Sequence, residues 1–428
     1  MNIIRYPERE DWPTVLQRPG VDSSRVEGSV RTIINTVRRD GDHALRHYAR
    51  VFDQVELSHL AVTREEFIAA ERQISRELAD AIKLAHANIE KFHASQREPV
   101  KMIETAPGVT CWRRSVPIDR VGLYVPSGTA PLFSTVLMLG VPAVLAGCRE
   151  IVICTPPRPD GSAADAILYA ANVCGISAVY KVGGAQAIAA MAYGTETIPK
   201  VDKIFGPGNI YVTFAKQVVS MNVAIDMPAG PSEVAVLADR SCNPVFVAAD
   251  LLSQAEHGPD SQVVLVTNSP MVVDEVIAEL ERQIAALPRR SVAEAAIQNS
   301  FAVLVNDLDI GIDLLNEYAP EHLILAVSDA DGFAKRVTNA GSVFLGNFSC
   351  ESLGDYAAGT NHTLPTAGFA RAYSGVSLDS FLKKITFQKV DETGIQSIGP
   401  AVEVMAEAEG LDAHKRAVSL RLEACNGI

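Results

Sequence analysis

From about residue 120 the chain alternates short unbroken apolar runs with longer stretches in which apolar residues recur every three or four positions. Runs at 151–154, 178–182, 203–205 and 234–237 are rich in Val, Ile and Ala. The stretches at 163–174, 185–193 and 209–220 carry helical spacing. Strands separated by helices predict right-handed βαβ units around a parallel sheet buried on both faces. A second series, at 263–267, 302–306, 323–327 and 343–345, repeats the pattern. The expected fold is therefore α/β, with two doubly wound Rossmann-like domains. The N-terminal third reads as helical: Thr63 and Glu66 form a capping-box pair ahead of an amphipathic stretch over 67–95. Beyond about Arg371 the strand signal stops and 405–424 reads as helix, so a helical C-terminal tail is expected.

Composition narrows the class. The 428 residues carry 38 Lys and Arg against 51 Asp and Glu, a formal charge of −13, which disfavours a nucleic-acid binder that must neutralise phosphates. With 48% apolar and 21% charged residues the chain belongs with folded proteins, not disordered ones. Residues 121–148 lack any charge, but Pro126, Pro131, Pro142 and the glycines among them favour a buried loop followed by a core helix over a membrane span. The start, MNIIRYPEREDW, has no unbroken apolar stretch of the export type, and seven scattered cysteines without a CxxC pair read as reduced thiols. A cytoplasmic protein is expected.

Candidate chemistry is spread along the chain. Glycine-rich turns at 182–186 and 205–209 sit where strands hand over to helices, and helix N-termini there can receive a phosphate. They can equally be ordinary turns: the dinucleotide fingerprint is absent, since Tyr211 stands where the third glycine would fall. Gln254 and His257 lie three apart near the end of a helix expected over 244–257, able to share a metal or simply to cap a solvated helix end. Glu321 and His322 put a carboxylate and an imidazole side by side before an apolar strand, two proton acceptors or a surface pair. A glycine-bounded loop over 354–362 offers Asp355 and His362, and Glu409 and His414 flank Gly410 in an aliphatic segment.

Taken in order, the strings RVGLYVPSGTAPLFSTVLMLGVPA, KVGGAQAIAA, KIFGPGN, DMPAGPSE, LLSQAEHGPDSQ, APEHL, GDYAAGTNHTLPT and AHKRAV closely resemble the histidinol dehydrogenase family over about residues 25–422. Two departures stand out: Ser127 where the family has a second Gly, and Cys350 where Pro is expected. The resemblance implies a zinc- and NAD-dependent, four-electron oxidation of L-histidinol through L-histidinaldehyde to L-histidine. Motif by motif it implies zinc on Gln254, His257, Asp355 and His414, with these ligands, Ser232, His322 and Glu409 contacting substrate. His362 is a further candidate contact, and Tyr124, Gln186 and Asn209 match NAD-contacting positions. His322 would take the alcohol proton, Glu321 would activate the water that hydrates the aldehyde, and His322 would deprotonate the hydrate. A thiohemiacetal on Cys111 or Cys148 is the rival mechanism; oxidation of another small primary alcohol, such as a sulfonated diol, is the alternative function.

The implied organisation is an N-terminal extension (1–22), a discontinuous α/β domain (23–123 and 233–376) with the metal and catalytic residues, a second α/β domain (124–232) with the NAD loops, and a tail (377–428). A homodimer is implied in which the tail crosses to the partner.

Overall fold

The computed structural model describes residues 1–19, 24–127, 131–228 and 230–427. Asp22, the expected end of the N-terminal extension, and Gly128 of the uncharged segment lie outside them. The chain divides into a large unit, 1–95 with 119–381, and a small one, 96–118 with 382–428.

Two all-parallel sheets build the large unit. The five-stranded sheet has the spatial order Val179–Lys181, Glu150–Thr155, Arg120–Tyr124, Lys203–Phe205, Ala224–Ile225. The six-stranded sheet runs Asn2–Arg5, Phe301–Leu304, Gln262–Thr267, Glu233–Ala238, His322–Ala326, Ser342–Leu345. In both, the chain starts in the middle, winds to one edge, then returns to the middle and winds to the other. This is the doubly wound pattern the alternation predicts, with the N-terminal strand added at one edge. One expectation is corrected: the run at 234–237 does not close the first sheet but founds the second. The strand it belongs to, Glu233–Ala238, is buried at all six residues, and an apolar run of this kind suits the centre of either sheet.

Packing follows the two-residue strand repeat. Val234, Val236 and Ala238 pack with residues of helices Pro244–Ala255 and Pro270–Ile284 on one face. Ala235 and Leu237 pack on the other with helix Leu308–Tyr318 and with Trp12 of the N-terminal segment. In the five-stranded sheet, Val152, Cys154 and Ile204 join a core built with helices Ser24–Tyr48, Gly184–Tyr193 and Ile210–Val219.

The capping box forms as expected, with Thr63 Oγ1 accepting from Glu66 N–H and Glu66 accepting from Thr63 N–H at 2.7 Å. The amphipathic stretch is two helices, however, Arg64–Gln73 and Arg76–Ala94. Ile74 is extended and Ser75 caps the second helix by accepting from Leu78 N–H. Hydrophobic spacing does not register a break that preserves the buried face, and a serine cap is its only local mark. Residues 121–148 fold as strand Arg120–Tyr124 and a buried helix, Phe133–Ala146. Among the described residues no helix is long and apolar enough to cross a membrane.

The small unit corrects the reading of the tail. Leu382–Val390 is a strand, paired antiparallel along its whole length with Val109–Pro117, which also pairs with Met102–Ala106. Trp112 stacks on Phe387 with ring centroids 5.4 Å apart. The strand is mostly exposed, LKKITFQKV, so its apolar residues are diluted by lysines and its pattern is too weak to stand out. Helices Glu392–Ala408 and Asp412–Cys425 follow.

Candidate functional site

The first glycine-rich cluster lines a cavity of about 680 Å³ beyond the carboxyl ends of the five-stranded sheet, at the point where its winding reverses. Tyr124, Gln186 and Asn209 all face it, with Asp53, Ser127 and Tyr211. The Tyr124 hydroxyl accepts from Gly184 N–H at 3.1 Å, joining the end of the central strand to the start of helix Gly184–Tyr193. Burial pushes the Tyr124 phenol up to about 12, so it stays neutral. Asn209 caps helix Ile210–Val219, its Oδ1 accepting from the Tyr211 and Val212 N–H groups at 3.1 and 3.2 Å.

The loop before Asn209 is held rigidly. Gly206 has φ +125°, and a Cβ there would meet the Tyr124 carbonyl oxygen at 2.1 Å, so only glycine fits. Lys216 donates to Gly206 O at 2.9 Å, Asp226 accepts from Gly206 N–H at 2.8 Å, and the two side chains form a buried ion pair. The departure at Ser127 falls on the wall of this cavity.

A second, smaller cavity adjoins it through Gly208 and is lined by Ser232, Glu321 and His362. Here the general rule that open α/β sheets gather ligands at the carboxyl ends of their strands fits one sheet only. Glu321 and His322 lie at the amino end of strand His322–Ala326, and Ser232 lies just before the amino end of Glu233–Ala238. The site therefore uses carboxyl ends of the five-stranded sheet and amino ends of the six-stranded one.

Glu321 and His322 are not a surface pair; they are 6% and 3% exposed. Glu321 Oε2 accepts from the Glu233 N–H at 2.9 Å, and His322 Nδ1 lies 3.4 Å from the Glu233 carbonyl oxygen. Burial pushes the Glu321 carboxyl up to about 8, although His322 pulls the other way. Burial disfavours the His322 imidazolium, but Glu351, Glu321 and Asp355 around it outweigh that and lift it to about 10.

Beside the pair, ligand atoms of His257, Glu351 and Asp355 lie within 4.8 Å of one another. Helix Pro244–Ala255 stops sooner than expected, with Gln254 in its last turn and His257 just past Glu256, where the residue remains exposed. Asp355 is on a short helix, Glu351–Tyr356, and not in a loop. Cys350, the second departure, is its N-cap residue but makes no side-chain cap bond. The Gln254 carboxamide lies between the Glu351 carboxylate and the Glu233 N–H: with nitrogen toward Glu351 it donates to that carboxylate, and turned over it aims its oxygen into the cluster, the orientation a shared cation would select. His362 Nδ1 lies 3.0 Å from the Asp355 carbonyl oxygen and its Nε2 3.3 Å from Thr135 Oγ1; burial lowers it into the neutral form.

Two buried atoms in the cluster, His322 Nε2 and Asp355 Oδ1, face each other as an ion pair at 3.5 Å and have no hydrogen-bond partner among the described residues. Buried polar atoms left unpaired cost about 1–3 kcal/mol each, so such atoms commonly mark a missing ion or ligand. Three carboxylates around two imidazoles, with carboxamide oxygen at hand, fit a divalent cation that prefers nitrogen and oxygen donors.

Glu351 was not among the sequence candidates. It stands four residues before Asp355, which places both carboxylates on one face of a helix, a signal open only once 351–356 is read as helical. Glu409 and His414 belong to the small unit, at the end of helix Glu392–Ala408 and in the first turn of Asp412–Cys425, and both are exposed.

The profile of the histidinol dehydrogenase family matches residues 16–422. A histidinol dehydrogenase from Bacteroides thetaiotaomicron is 60% identical over 423 residues, covering 99% of each chain. One from Aliivibrio fischeri is 51% identical over 415 residues, 96% of this chain and 93% of that one. The crystal structure of histidinol dehydrogenase from Elizabethkingia anophelis superposes with a TM-score of 0.98 at 55% identity, covering 100% of this chain and 99% of that one.

Proposed function

Because the chain belongs to the histidinol dehydrogenase family and is thus an oxidoreductase, we propose that it oxidises L-histidinol to L-histidine in two NAD-linked steps at a zinc-bearing site. The observation that carries this reading is the burial of Glu321 and His322 against a carboxylate-rich cluster in which His322 Nε2 and Asp355 Oδ1 face each other with no hydrogen bond among the described residues.

Gln254, His257 and Asp355 would hold the zinc, with the exposed His414 of a second copy's exchanged tail completing the set. When bound, zinc supplies a Lewis-acidic anchor for substrate nitrogens. The cavity faced by Tyr124, Gln186 and Asn209 would hold NAD, which when bound supplies the hydride acceptor. Its diphosphate suits the positive end of helix Gly184–Tyr193, which has no side-chain cap, whereas Asn209 already takes the first N–H groups of Ile210–Val219.

The remaining work falls to side chains. His322 accepts the proton of the substrate hydroxyl, and later that of the aldehyde hydrate. It can do so because the carboxylates that keep it protonated are the charges a dication offsets. Glu321, with one oxygen fixed by Glu233 N–H, accepts a proton from the water that adds to the aldehyde. Ser232, His362 and Glu409 complete the pocket, the last as the natural partner of an ammonium group. We read the functional species as a homodimer with exchanged tails, a role that the exposure of Glu409 and His414 suits.

The test is direct: NAD reduction is followed with L-histidinol and with a sulfonated diol, with and without added zinc. Two NADH per histidinol, dependent on zinc, is expected. Turnover of the diol alone would refute the substrate assignment.

A further inference from the structure

The residue that ties the catalytic pair to the rest of the large unit comes from the first twenty residues of the chain. The Arg18 guanidinium grips Glu233 with two bonds, Nε to Oε2 at 2.6 Å and Nη2 to Oε1 at 2.9 Å. The same Nη2 donates to the Tyr318 carbonyl oxygen at 2.7 Å, and the group lies over the Tyr318 ring at 4.0 Å from its centroid. The Tyr318 hydroxyl closes the circle, 3.2 Å from Glu233 Oε2 and 2.8 Å from Gln262 Oε1.

The two segments so joined have one feature in common. Glu233 supplies the N–H that holds Glu321 and the carbonyl beside His322 Nδ1. Tyr318 ends the helix whose continuation, through the left-handed Ala319 and Pro320, delivers Glu321 and His322. A single planar cation thus bridges the backbone that receives Glu321 and the backbone that presents it. Arg is suited to this because its fork engages a carboxylate, a carbonyl and an aromatic face at once; an ammonium cannot.

We propose that Arg18 is a positioning residue for the proposed Glu321–His322 pair, setting through Glu233 and Tyr318 the register between the two strand starts on which that pair acts. The inference rests on the catalytic reading above. It assigns to the N-terminal segment a part in the chemistry that no motif there announces.

The experiment uses the full-length, zinc-loaded enzyme and counts active sites by zinc content. Arg18→Lys and Arg18→Ala are compared with Glu321→Gln and His322→Asn in oxidation of histidinol and of supplied histidinaldehyde. The expected result for Arg18→Ala is a kcat per zinc-loaded site reduced tenfold or more, with KM for either substrate changed less than about twofold. The loss should be greatest in the aldehyde step. Guanidinium ions at millimolar concentration should restore part of kcat, entering by the cavity of about 250 Å³ that Arg18 and Glu233 line; methylammonium should not.

Where Arg18→Ala fails to fold, Arg18→Lys and the uncharged pair Arg18→Met with Glu233→Gln give the same comparison without a stranded buried carboxylate. Unchanged kcat per zinc-loaded site in the folded variants overturns the proposal, as does a loss matched entirely by lost zinc. If Glu321→Gln and His322→Asn themselves turn over like wild type, it is the catalytic reading that fails, whatever Arg18 does.

Discussion

His322 Nε2 faces Asp355 Oδ1 across 3.5 Å, and neither atom is hydrogen-bonded elsewhere among the described residues. The proposed general base and a proposed metal ligand thus look into the same small space. Substrate held there would have its reacting oxygen within reach of the imidazole while its nitrogens engage the cation.

Removing zinc should abolish turnover while leaving the fold standing, because the apolar cores of both parallel sheets are complete without the cluster. The check is a chelated sample followed by activity and by thermal unfolding. Retained activity after verified zinc removal would end the metal assignment, and a collapse of the transition would make the metal structural. His257→Ala and Asp355→Ala should each lower zinc affinity at least 10–100-fold, the scale seen even for residues that merely support ligands.

Glu321→Gln should slow oxidation of supplied histidinaldehyde about 10²–10⁴-fold while sparing the alcohol step, whereas His322→Asn should slow both. Wild-type aldehyde oxidation should also rise with pH, since a carboxylate accepts a proton only when ionised. Burial holds Glu321 up to about 8, and added positive charge would draw it down, so the rising limb should lie at or below pH 8 and vanish in Glu321→Gln. An equal loss in both half-reactions would remove the division of labour.

Mixing His322→Ala with His414→Ala chains tests tail exchange. If tails cross, one site of each hybrid dimer carries both lesions and the other carries none, so activity returns toward half that of wild type. If each tail serves its own chain, every site keeps one lesion. A silent, zinc-loaded hybrid would decide for the second arrangement.

Asp250, one turn before Gln254, is pushed up to about 7 by burial. In the unfolded chain it ionises near pH 4, so between about pH 4 and 7 the folded state holds the extra proton and this residue's contribution to stability falls as pH rises. Asp250→Asn should therefore gain on wild type from pH 4 to above 7 in denaturant titrations of the zinc-free protein. A difference that stays flat across this range would contradict the shift.

How much of this could be read from the residues depended on whether their signal was local. The doubly wound sheets were legible because central strands such as Gln262–Thr267 are buried on both faces and read as unbroken apolar runs. Strand membership was not: residues 234–237 carry no mark of which sheet they enter, since that is decided by the long connection that follows. The Leu382–Val390 strand was hidden because three lysines dilute its apolar residues and most of it is exposed. Gln254, His257, Asp355, Glu321 and His322 were legible as motifs, but their convergence was not, because it depends on a strand start meeting two helices that lie far from it in sequence. Glu351, Glu233 and Arg18 needed the structure outright, as their roles are to hold other side chains and their own sequence context is bland.

The antiparallel pairing of Leu382–Val390 with Val109–Pro117 gives the small unit an order of assembly in time. Its central strand emerges from the ribosome early, while the strand that covers one edge is synthesised near the end, after almost the whole large unit. For most of translation that edge stands open to any passing extended chain, and Arg113 and Arg114 sit in the middle of it. Two adjacent positive charges on an edge that is covered last would disfavour its pairing with a second copy of the same strand.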